Sequence, residues 1–95
     1  MMRIIARHAV LASVEDPERF CTWVAEVALA EGAEGWVARS GDAVEVWFEG
    51  SAPAVEAMLD WCSATHGVGR SELAMSDQRP VLRGGFDILS APAER

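Results

Sequence analysis

The chain has 95 residues, 51% hydrophobic and 24% charged, which fits one small folded domain (1–90, with a short tail at 91–95) and excludes a disordered chain. A net charge of -7 disfavours nucleic acid as a partner, because affinity for a phosphate backbone comes from clustered basic side chains. No apolar run approaches the roughly 18–20 residues that span a bilayer, and Arg3 and Arg7 interrupt the first one, so neither a membrane segment nor a signal peptide is expected and the expected location is the cytoplasm.

Residues 3–12 are apolar and β-permissive and predict a mostly buried first strand. Asp16 before Pro17 is a helix cap followed by a good first helical residue. Phe20, Trp23, Val24, Val27 and Ala28 then recur at helical spacing, and Gly32 is the stop, so the first helix is expected at 17–31. Residues 34–39 and 43–49 read as a hairpin around Ser40-Gly41-Asp42. In its second arm Val44, Val46 and Phe48 alternate with Glu45, Trp47 and Glu49, so one face is buried and the other is expected to be largely wet. Ser51 and Pro53 start a second helix at 52–64, with an apolar face of Val55, Met58, Leu59 and Cys62. Residues 69–76 and 85–89 read as short strands, with a loop between them.

This order predicts an α+β, ferredoxin-like βαββαβ sandwich, with two helices on one face of an antiparallel sheet. Strand order 4-1-3-2 brings the end of the first strand, the start of the first helix and the end of the second strand to one edge.

Several pieces then line up in order and spacing. They are Gly35-Trp36-Val37, Val44-Glu45-Val46, Glu49-Gly50, Ala54-Val55-Glu56-Ala57 with Trp61, and Gly85-Phe86-Asp87-Ile88. Together they resemble the acylphosphatases, over nearly the whole chain. The resemblance implies metal-free, cofactor-free hydrolysis of small acyl phosphates. The phosphate would sit in a glycine-containing loop of pattern G-x-V-Q-G-V-x-F-R between the first strand and first helix, held by backbone N–H groups and the motif Arg. An Asn two residues after the Gly-Trp-Val triplet would position the water.

The departures fall on those positions. The loop becomes Ser13, Val14, Glu15, Asp16, Pro17, Glu18, Arg19 and Phe20, with Ser13 and Pro17 at the glycines. Cys21 stands at the phosphate-binding Arg, and Arg39 at the Asn. Pro17 has no N–H to offer. Glu15, Asp16 and Glu18 put carboxylates where a dianion should sit, and one such pair about 5 Å apart repels by roughly 3 kcal/mol. The expectation is a domain that has lost acyl-phosphate hydrolysis and acts by binding a protein partner or itself. One competing expectation is a rerouted site in which Arg19 or Arg39 binds an acyl phosphate or phosphate; another, on fold analogy alone, is a small-molecule or regulatory binding domain that reuses the fold. In the first of the three, Arg39 pairs with Glu15, Asp16 or Glu18.

Cys21 near a helix N-terminus could be a reactive thiolate, or a small buried residue. Two cysteines do not make a disulfide scaffold or a zinc site. Cys21 and Cys62 fall at the same end of the domain, where a bridge is geometrically possible but disfavoured in cytoplasm. His8 has no acidic or Cys partner at useful spacing and reads as a sheet residue. His66 reads as a neighbour of a helix C-cap. Trp23, Trp36 and Trp61 are expected in the core or at its rim, and Trp47 on the open face as an interface anchor or packed flat on its neighbours.

Overall fold

A computed structural model describes residues 3–67, 69 and 73–89. Residues 70–72 of the strand expected at 69–76 and the whole tail expected at 91–95 lie outside the described residues.

The elements follow the hydrophobic pattern. They are β1 (Ile4–Leu11), α1 (Pro17–Glu31), β2 (Glu34–Ser40), β3 (Ala43–Ser51), α2 (Ala52–His66), β4 (Ala74–Gln78) and β5 (Phe86–Leu89). Helix α1 starts where Asp16 accepts the Arg19 N–H at 3.3 Å, with Pro17 in its first turn. It stops at Gly32, which takes the left-handed conformation a Cβ would disfavour. Helix α2 starts where Ser51 Oγ accepts the Ala54 N–H at 3.3 Å.

The sheet order is β4-β1-β3-β2-β5. The first four strands pair antiparallel, as expected, and β5 adds parallel to β2, making the five-stranded sheet mixed. The core lies between sheet and helices. Val44, Val46 and Phe48 of β3, with Leu11 and Val37, meet Phe20 and Val24 of α1 and Val55, Met58 and Leu59 of α2. All are at most 4% exposed, so burial of this layer is the main term holding the fold.

The other face differs from the expectation. It is not largely wet. Glu49 is 1% exposed, because the 81–84 segment crosses over it between β4 and β5. Trp23, expected in the core or at its rim, is 42% exposed on α1 with the Arg19 guanidinium 5.7 Å from its ring.

Candidate functional site

The topology brings three segments together at one edge: the end of β1, the start of α1 and the turn between β2 and β3. The Val14 N–H donates to the Asp42 carbonyl at 2.7 Å, joining the loop to that turn. His66, at the end of α2, donates from Nε2 to the Ala12 carbonyl at 2.8 Å and packs edge-on against Phe20. The loop is therefore tied from both sides.

Its backbone keeps one glycine-like feature. Ser13 sits at φ 58, a left-handed conformation that costs a side-chain-bearing residue about 1–2 kcal/mol. Three of the loop's backbone donors are used internally. Val14 N–H is taken by Asp42, and Arg19 N–H by the Asp16 carboxylate. Phe20 N–H bonds the Asp16 carbonyl at 2.9 Å, and Pro17 has none. Among the described residues, the adjoining cleft is lined by Glu15 and Asp16 against one guanidinium, Arg19. Arg19 in turn lies over Trp23, 3.8 Å from Asp16 Oδ2.

Cys21 and Arg39 come close enough to interact electrostatically. Burial pushes the Cys21 thiol above its ordinary value; the Arg39 guanidinium pulls it down and Glu18 pushes it up again, and the net shift is upward. Cys21 is thus a buried, protonated thiol and not a ready nucleophile. Cys62 is pushed up to about 12 by burial alone, and both cysteines are free. Arg39 is exposed, and the ion pairs among the described residues do not join it to Glu15, Asp16 or Glu18. The pairing expected for it does not form.

No family model matches the sequence, and no curated protein matches it. Solved structures do. An acylphosphatase from Coxiella burnetii superposes with a TM-score of 0.72 at 17% identity, over 90% of this chain and 93% of the other. The acylphosphatase from Bacillus subtilis gives 0.70 at 19%, over 92% and 99%. The chain has the acylphosphatase fold. Full-length HypF, in its phosphate- and nucleotide-bound form, also matches with a TM-score of 0.73 at 19% identity; the match covers 95% of this chain but 12% of HypF. Among the described residues no helix is long and apolar enough to cross a membrane.

Three features of this acylphosphatase-fold chain escaped the sequence. The Glu49 carboxylate accepts Trp47 Nε1–H at 2.8 Å, Val81 N–H at 3.1 Å and Leu82 N–H at 2.7 Å. His8 has an acidic partner after all: its Nε2 lies 2.6 Å from Glu45 Oε2 across the β1–β3 ladder. Trp36 is not a core residue of the helix side but stands beside Trp47 on the other face. The last was recoverable, since a two-residue turn at Gly41-Asp42 sets the register that pairs the two tryptophans.

Proposed function

We propose that this domain does not hydrolyse acyl phosphates and works as a binding domain built on the acylphosphatase fold. The observation that carries this reading is the internal use of the loop's donors. Asp16 supplies from within the anionic acceptor that a bound phosphate would otherwise supply. A second carboxylate in the same cleft, and a neutral thiol where the resemblance calls for an Arg, remove the charge complement a phosphate needs. Arg39 supports one alternative, a rerouted site, because it is exposed, beside Cys21 and not paired with the loop acids.

Hydrolysis of benzoyl phosphate tests both. No turnover above the uncatalysed rate is expected from the wild type. Turnover that disappears in Arg39→Ala would overturn the proposal and establish the rerouted site. The double change Cys21→Arg, Arg39→Asn is expected to stay inactive, because the loop donors remain occupied. If it gains activity, the two side chains alone had been limiting.

A further inference from the structure

The sheet face opposite the helices carries a second concavity. It encloses about 540 Å³ between β2, β3 and the 81–84 segment, within the range of small-molecule sites, and Trp36 and Trp47 line it. Their rings are 6.3 Å apart between centroids and 20° from parallel. Both are held before anything binds. Trp47 donates its indole N–H to Glu49, and His8 lies 6.1 Å from Trp36 and 6.4 Å from Trp47, itself bonded to Glu45. A pocket whose aromatic walls are already ordered loses little entropy on binding.

The charges around it agree in sign. Among the described residues, Glu34, Glu49 and Asp87 line the cavity against one guanidinium, Arg83. Indole faces carry negative electrostatic potential, so the rings and the carboxylates select the same kind of ligand. Glu49 is engaged by its three donors, which leaves Glu34 and Asp87 to meet a ligand's charge. We propose that this pocket binds a small planar organic cation, its ring against Trp36 and Trp47 and its positive charge towards Glu34 and Asp87. A planar anion would meet those two carboxylates, and a compact cation would leave the indole surface uncovered. The site lies across the sheet from the α1 loop, so it neither needs nor excludes the reading of that loop.

The test is titration of isotopically labelled protein with three probes, followed by the indole N–H resonances of all four tryptophans. N-methylquinolinium is the planar cation, 2-naphthoate the planar anion and tetramethylammonium the compact cation. Saturable shifts at Trp36 and Trp47, with Trp23 and Trp61 still, are expected for N-methylquinolinium, at least about tenfold tighter than for either other probe. Glu34→Gln with Asp87→Asn should weaken it by about tenfold while the circular dichroism spectrum is unchanged. Three results would each overturn the assignment: no saturable shift below about 10 mM, binding of 2-naphthoate or tetramethylammonium as tight as that of N-methylquinolinium, or full affinity in the double variant. A benzoyl phosphate assay on the same samples reads the loop independently.

Discussion

Replacing Glu49 by Gln changes one atom type at the point where the sheet holds the 81–84 segment. The carboxylate is 1% exposed and accepts three N–H groups, two on Oε1 and one on Oε2. A hydrogen bond to a charged acceptor contributes about 1.5–3 kcal/mol net and a neutral one about 1 kcal/mol. Gln keeps one carbonyl oxygen, so its bonds become neutral, and its NH₂ must face a donor. The expected loss at pH 7 is about 2–4 kcal/mol, from a total of roughly 5–14 kcal/mol for a domain of this size. At about 4–8 °C per kcal/mol, Tm should fall by about 8–32 °C. Burial alone would raise the Glu49 carboxyl, but the bonds from Trp47, Val81 and Leu82 outweigh it and hold the group below its ordinary value. A depressed carboxyl stabilises the fold above the unfolded value, and that stabilisation is lost as pH falls through the folded value. Wild type and Glu49→Gln should therefore differ most near pH 7, and the gap should narrow progressively as pH falls below the ordinary carboxylate range. Urea denaturation at stepped pH reads this directly. Equal midpoints at pH 7, or a gap that stays constant down to about pH 3, would refute the reasoning.

Gly35→Ala should be the most damaging small change in the chain. Gly35 has φ 133, and a Cβ there would stand 1.8 Å from the Trp47 carbonyl oxygen, so a loss above about 3 kcal/mol, seen as a collapsed Tm or insoluble protein, is expected. Ser13→Gly should stabilise by up to about 1 kcal/mol in chemical denaturation, since relief of the φ 58 strain exceeds the added chain entropy. Cys21 and Cys62 are buried and both thiols are raised, so Ellman's reagent at pH 8 should react only as fast as the protein opens. A rate for either cysteine equal to that of a free thiol would contradict this.

Elements with strong local signals were legible. Asp16-Pro17, Ser51 and Gly32 state helix boundaries through backbone chemistry that needs no tertiary contact, and all three act as caps. The alternation Val44, Val46, Phe48 located the core face of β3, because a half-buried strand cannot be read in the other register. The meeting of the loop with the β2–β3 turn followed from topology. What stayed hidden depends on long-range segments with no periodic signal. The 81–84 segment, with Leu82 and Gly84 at positive φ, carries no hydrophobic pattern, yet it converts Glu49 from an expected surface acid to a buried acceptor. His8 and Glu45 are 37 residues apart and meet only through strand pairing. Arg39 shows the reverse failure. Charge complement suggested a partner among the loop acids, but sign alone does not set where a long side chain on β2 points.

The same backbone chemistry recurs on both faces, and it is satisfied from within each time. Val81 and Leu82 offer successive N–H groups, with Leu82 at φ 57, which is the geometry of an anion-binding nest; its anion is Glu49. At the α1 end, the Arg19 N–H finds its anion in Asp16. A protein whose anion-binding backbone is already occupied should gain nothing specific from added phosphate. Inorganic phosphate at one hundred times its dissociation constant would stabilise an open site by about 2.7 kcal/mol, a Tm rise of roughly 10–20 °C at this size. Here the expected rise is only the general salting effect, equal for phosphate and sulfate at matched ionic strength and equal in Arg39→Ala. A phosphate-specific rise of about 5 °C or more that vanishes in Arg39→Ala would show that Arg39 recruits an external anion, and would overturn the reading of a closed loop.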